Sequence, residues 1–238
     1  MNYAVIIAGG VGSRVGANIP KQFIKVYGKP ILAYTLESFQ NHPAIDAIAV
    51  VCIEGWEDEV ETYKEKYGIS KMQWIVPGGN SGQESIRNGV FHLKDKINEN
   101  DIVIIHDSVR PLVDESVLTD VIEVAQKYGN GVTSLPYNEQ IFIIEDETST
   151  KQYIPRETLR RVSTPQGYHF GELYNAYVEA FEKKIGIGNS SYTNTMYSDL
   201  GKTLYFAKGS DKNIKLTTPD DLAIFRGYLR AKDEQNEI

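Results

Sequence analysis

The chain is nearly without cysteine. Its single residue of that type, Cys52, excludes an internal disulfide and fits a reducing compartment. Cys52 lies in the apolar run 47–53, which reads as a buried strand position rather than a nucleophile. An excess of positive charge is also missing. The 25 Lys and Arg residues stand against 32 Asp and Glu, a formal net charge of −7, which argues against a general nucleic-acid binder. Any phosphate site must therefore be a local basic patch on an acidic body. No stretch is long and apolar enough to span a membrane, and the amino terminus enters a strand almost at once, with no signal peptide. A cytoplasmic protein with no membrane partner is expected. Internal repeats, low-complexity tracts and interdomain linkers are absent, and 238 residues with 41% hydrophobic content suffice for one well-packed domain.

What the chain does have is glycine in a telling place. The stretch Ile6-Ile7-Ala8-Gly9-Gly10-Val11-Gly12-Ser13-Arg14-Val15-Gly16 starts as a buried strand and breaks into a glycine-rich turn, and Pro20-Lys21-Gln22 follows. Glycine lets backbone approach a bulky anion and leaves its N–H groups free to donate to phosphate oxygens. Arg14 and Lys21 bring two cations to the same strand end, so a nucleoside triphosphate is the natural ligand. The dinucleotide pattern G-x-G-x-x-G fails, because counting from Gly10 places Val15 at its third glycine. A Walker loop fails because Lys21 lies between Pro20 and Gln22. The plain alternative is a tight strand-to-helix turn with no ligand.

Taken in order, apolar strands at 3–8, 47–53, 74–76 and 101–106 alternate with helices at 30–41, near 56–63, at 83–93 and at 115–128. A short strand is expected at 23–26. This alternation predicts an α/β fold with a doubly wound, mostly parallel sheet. Ligands of such sheets bind at the carboxyl ends of the strands, the edge on which the loops at 9–16, 77–82 and 107–111 all fall. The segment from 136 to about 166 breaks the rhythm and reads as an inserted β-arm, at about 136–160, rather than a layer of the sheet. Its apolar Ile141-Phe142-Ile143-Ile144 invites pairing with a second copy; folding back on its own domain is the alternative. A helix at 173–181, a strand at 202–207 and a helix at 220–228 follow, and the charged tail 230–238 is expected to fray.

Asp107 ends an apolar strand at the ligand edge, where one carboxylate plus phosphate oxygens is the usual way to hold a hard divalent ion. Helix capping or an ion pair with Arg110 is the structural alternative, and His106 reads as a packed strand residue.

Four motifs in order carry a family resemblance. They are Ala8-Gly9-Gly10-x-Gly12-x-Arg14-x-Gly16 with Pro20-Lys21-Gln22, then Asp107-x-x-Arg110-Pro111, then Ser163-Thr164-Pro165-Gln166, and last Asn213-Ile214-Lys215-x-Thr217-Thr218-Pro219-x-Asp221. Together they resemble the cytidylyltransferases that act on methylerythritol phosphate and ribitol 5-phosphate. The resemblance implies one Rossmann-like nucleotidyltransferase domain over 1–238, a homodimer joined by the β-arm, CTP as substrate and Mg²⁺ as cofactor. It implies transfer of CMP to a polyol phosphate, with Arg14, Lys21 and Lys215 as catalytic cations and Asp107 on the metal. Cytosine would be read by Ala8, Gly9, Gly10, Gly12, Gly79 and Ser85, and the acceptor by Arg110, Thr164 and, across the dimer, Arg156.

The chain departs from the family at several points. Gly82 stands where an arginine is common, Glu139-Gln140 replaces an Asp-Thr pair of the arm, and Ser191-Tyr192 replaces a Thr-Asp pair. These changes bear on the acceptor more than on the nucleotide. Ser108 in place of the alanine common to methylerythritol-phosphate enzymes favours the ribitol branch, and with it teichoic-acid or capsule assembly. The alternatives are the isoprenoid-pathway enzyme, a non-catalytic nucleotide-binding subunit and, more distantly, an oxidoreductase.

Overall fold

A computed structural model describes residues 1–10, 19–188 and 192–236. In chain order the strands are β1 (Asn2–Ala8), β2 (Lys25–Val26), β3 (Lys29–Pro30), β4 (Ala47–Cys52), β5 (Met72–Pro77), β6 (Ile102–Asp107), β7 (Asn130–Pro136), β8 (Ile141–Ile143), β9 (Gln152–Ile154), β10 (Arg160–His169) and β11 (Phe206–Lys208). The helices are α1 (Ile31–Asn41), α2 (Glu57–Lys66), α3 (Gly82–His92), α4 (Glu115–Tyr128), α5 (Phe170–Lys183), α6 (Thr193–Asp199) and α7 (Pro219–Asn236). Among the described residues the main sheet has seven strands in the order β11-β7-β10-β6-β1-β4-β5, parallel except for β10, which runs antiparallel to both β6 and β7.

The sheet is doubly wound because its central strands are apolar on both faces. Ala4, Ile6 and Ala8 of β1 join Ile48, Val50 and Ile104 beneath α1 and α4. Tyr3 and Val5 join Ala49, Val51 and Val103 beneath α3, α5 and α6. Alternate side chains thus leave opposite faces of each strand, and each face is sealed by helices. The chain steps outward from β1 through β4 to β5, then crosses back to β6 on the other side of β1. That reversal opens a crevice at the carboxyl ends of these four strands.

Three expectations need correction. The expected strand at 23–26 is formed only at Lys25–Val26, where β2 pairs with β3, while Phe23 ends a 3-10 turn, Lys21–Phe23. The interruption from 136 to about 166 is an arm only in part. The hairpin β8–β9 forms a separate two-stranded sheet, but β10 is a strand of the main sheet, wedged between β6 and β7. It escapes pattern reading because its buried positions are Pro165, Gln166, Gly167 and Tyr168, and α4 packs directly on its backbone. A Cβ on Gly167 would lie 3.0 Å from Val121 Cγ1. Finally, the helix expected at 220–228 is longer, since α7 runs from Pro219 to Asn236.

Candidate active site

The crevice is a cavity of about 780 Å³. One wall is glycine backbone. Beyond β1, Gly9 and Gly10 run alongside Gly78 and Gly79, which follow β5, and Gly78 N donates to Cys52 O at 2.7 Å. Ser85, in the first turns of α3, accepts from Gly79 N at 3.0 Å, fixing the second glycine pair against the helix. The helix is capped locally: Ser81 Oγ accepts from Glu84 N at 3.1 Å, and the Glu84 carboxylate accepts from Asn80 N at 2.7 Å. Gly79 has no room for a side chain, because a Cβ there would lie 2.4 Å from Glu84 Cβ and 2.9 Å from Glu84 C. Gly79→Ala is therefore expected to lose about 1–3 kcal/mol of stability and to raise KM for a substrate seated against this wall. Denaturant titration and initial rates check this; unchanged values of both would contradict it.

Lys21 lines the cavity from the 3-10 turn, between two anchors. The buried Gln22 amide donates to Ala8 O at 2.7 Å and Gly10 O at 3.0 Å, tying the turn to the end of β1. Phe23 is buried and stacks on Trp56 with ring centroids 4.1 Å apart. Gln22, which its motif gave without a role, is thus the brace between this turn and β1.

The opposite wall carries the charges. Asp107 ends β6, and its Oδ2 accepts from Arg110 Nε at 2.9 Å and pairs with Lys215 Nζ at 3.2 Å. Burial raises the pKa of this carboxyl, but Lys215 and then Arg110 outweigh it and hold the group at about 2. Because the folded pKa lies below the unfolded one, the pairing stabilises the fold above pH 4 and is lost as pH falls toward 2. The contribution is on the order of 2 kcal/mol. Urea midpoints measured from pH 7 to pH 2 are expected to show this increment in the wild type and not in Asp107→Asn; parallel profiles would contradict it.

His106, fully buried beside Asp107, is pushed down by burial to about 4 and is neutral near pH 7. Its Nε2 lies 3.0 Å from Arg110 O, so Nε2 carries the proton, and the ring serves as a packed support as its strand position implied. Lys215 Nζ also lies 5.5 Å from the centroid of the Tyr192 ring, which borders the cavity.

Of the residues singled out from sequence, Gly9, Gly10, Lys21, Gly79, Ser85, Asp107, Thr164 and Lys215 come together around this one cavity. Ala8 supports it from behind through its carbonyl. Gly12 and Arg14 lie outside the described residues. Arg110 is not among the described lining residues; its guanidinium braces Asp107 and donates to Asn213 O at 2.8 Å. Arg156 lies on the arm and lines a separate cleft of about 400 Å³ with Phe142 and Tyr153. Tyr192 and Thr193 at the cavity edge carry no expected role, and neither does the buried chain behind them. There Tyr177 Oη lies 2.8 Å from Thr193 Oγ1 and donates to Gln83 Oε1 at 3.0 Å. No local pattern signals such a chain, since its members come from three separate helices.

No cluster of three or more potential metal ligands exists among the described residues. The single ionised carboxylate of Asp107, with Oδ1 facing no described partner, suits an ion that arrives with phosphate oxygens rather than one held in a protein cage. No described helix is long and apolar enough to cross a membrane.

A glycine-lined wall, the cations Lys21 and Lys215 and the Asp107 carboxylate meet at the switch point of a doubly wound sheet, the place and chemistry of a nucleotidyltransferase site. The model of the family IspD, 2-C-methyl-D-erythritol 4-phosphate cytidylyltransferase, matches residues 2–231. A ribitol-5-phosphate cytidylyltransferase of Lacticaseibacillus paracasei is 60% identical over 97% of this chain and 98% of its own. A 2-C-methyl-D-erythritol 4-phosphate cytidylyltransferase of Clostridium acetobutylicum is 38% identical over 99% and 100%. The fold matches the crystal structure of 4-diphosphocytidyl-2C-methyl-D-erythritol synthase from Anaerococcus prevotii with a TM-score of 0.82, at 23% identity over 96% of each chain. The chain belongs to the IspD family of cytidylyltransferases.

Proposed function

We propose that the protein transfers CMP from CTP to D-ribitol 5-phosphate, giving CDP-ribitol and pyrophosphate. The observation that carries the acceptor is the ribitol-5-phosphate name of the Lacticaseibacillus relative, which matches along nearly its whole length. Ser108, the residue that favoured this branch, lines the cavity beside Asp107. Methylerythritol 4-phosphate is the second reading, supported by the family description and the clostridial relative.

A phosphate oxygen of the acceptor attacks the α-phosphorus of CTP. A new P–O bond forms, the bond to the bridging oxygen breaks, and pyrophosphate leaves with that electron pair. No protein nucleophile is needed, so the side chains position the reactants and neutralise charge. Gly9, Gly10, Gly79 and Ser85, with Ala8 and Gly12, form the cytosine side. A pocket bounded by backbone excludes the larger purines. Lys21 and Arg14 meet the pentacoordinate phosphorus and the departing pyrophosphate. Lys215 holds the acceptor phosphate against the α-phosphate, and Thr164 and Arg110 order that side. Asp107 would hold Mg²⁺ together with phosphate oxygens, and the ion would offset triphosphate charge. Formation of CDP-ribitol from CTP and ribitol 5-phosphate, followed by phosphorus NMR, tests the assignment. Loss of product with EDTA and recovery with Mg²⁺ are expected; full turnover in EDTA would remove the metal role.

The arm is the proposed dimer contact. Phe142, Ile144 and Tyr153 are 51%, 78% and 67% exposed there, more apolar surface than a two-stranded hairpin keeps to itself in water. In a dimer Arg156 would reach the acceptor phosphate in the partner's cavity. Light scattering at micromolar concentration is expected to give twice the chain mass, and a monomer would contradict the arm's role. A cytoplasmic location is the reading we favour, supported by the single buried cysteine, which suits a reducing compartment.

A further inference from the structure

We infer that Asn213 is a positioning residue of the transfer reaction, closing a ring of hydrogen bonds that sets Lys215 against Asp107. The ring has four members. Asp107 N donates to Thr164 Oγ1 at 3.1 Å, and Thr164 O accepts from Asn213 Nδ2 at 2.7 Å. Asn213 O accepts from Arg110 Nη1 at 2.8 Å, and Arg110 Nε returns to Asp107 Oδ2 at 2.9 Å. It ties the segment before α7 to the end of β6 and to β10, the strand paired with β6.

Lys215 follows Asn213 by two residues and reaches the same Asp107 Oδ2 at 3.2 Å. Next to it, Leu216 N donates to Val109 O at 2.9 Å, and Leu216 is buried with Val109 and Phe225. The backbone on either side of Lys215 is therefore pinned, on one side by Asn213 and on the other by Leu216. An ammonium on a flexible stem works at a fixed point only if its backbone is held in this way.

Asn213 is buried and is not among the described cavity-lining residues, so it acts through its neighbours. The amide can sit only one way round, because a flipped group would turn Oδ1 toward Thr164 O, acceptor against acceptor. That leaves Oδ1 buried without a partner. An amide tolerated with one unsatisfied atom, where its other atom joins two active-site segments, fits a group whose donor is needed.

The inference rests on the cytidylyltransferase reading, and the test separates the two. Asn213→Ala, Lys215→Ala and the double variant are compared with wild type in CTP-dependent pyrophosphate release, with the thermal midpoint recorded for each. Asn213→Ala is expected to lower kcat about 10- to 100-fold with KM for CTP little changed. In the Lys215→Ala background, removing Asn213 is expected to cost no further kcat, because the group it positions is gone. If Asn213→Ala does not fold, Asn213→Asp keeps the size and loses the donor, and the same comparison applies. Losses that multiply in the double variant, or a wild-type kcat in the single one, would overturn the positioning role while leaving the enzyme's function intact. A wild type inactive with every polyol phosphate would remove the function, and the inference with it.

Discussion

Lys21→Ala is expected to fold like the wild type and to lose turnover by about 10²–10³-fold. The turn carrying this ammonium is held by its neighbours. Gln22 bonds the carbonyls of Ala8 and Gly10, and Phe23 stacks on Trp56. Lys21 itself lines the cavity with the glycine wall, where the triphosphate is proposed to lie. A cation there meets charge that grows as the bridging P–O bond breaks, so its loss raises the barrier more than it weakens substrate binding. The expected pattern is a lower kcat with KM for CTP changed far less. Circular dichroism and initial rates suffice to check it, and near-wild-type turnover would remove Lys21 from the mechanism.

Asp107→Asn is expected to cost about 10²-fold or more in kcat/KM and also to weaken the fold. The substitution keeps the shape and removes the charge. Arg110 Nε and Lys215 Nζ, both now on Asp107 Oδ2, would face a neutral amide in a mostly buried place. Charge-assisted hydrogen bonds of this kind contribute roughly 1.5–3 kcal/mol, so a measurable drop in denaturation midpoint accompanies the kinetic loss. The two effects have separate readouts. With Asp107 as the proposed metal ligand, added Mg²⁺ at high concentration should recover little rate. A variant with wild-type kcat/KM would show that Asp107 serves only the ion pairs.

The strands β1, β4 and β6 were legible because both their faces are buried, so nearly every position is apolar. α4 was legible from its periodicity, and its bounds agree with the sequence reading. β7 and β10 were not. They place Gly131, Thr133, Gln166 and Gly167 at buried positions, where α4 lies on the backbone or side chains bond locally. α6 was missed because only Met196 and Tyr197 among its residues are apolar. At the site, each motif shows its own residue but not its partner. Lys215 and Asp107 lie in separate motifs, and their meeting at 3.2 Å requires β6 and the segment before α7 to be side by side. The ring through Thr164 and Asn213 is further hidden, since two of its four bonds use main-chain carbonyls that carry no sequence identity.

The most direct test is pyrophosphate release with CTP and Mg²⁺, offering D-ribitol 5-phosphate and 2-C-methyl-D-erythritol 4-phosphate in parallel. The expected result is turnover with ribitol 5-phosphate and a much lower kcat/KM with methylerythritol 4-phosphate. The reverse preference, or no release with ribitol 5-phosphate at all, would contradict it.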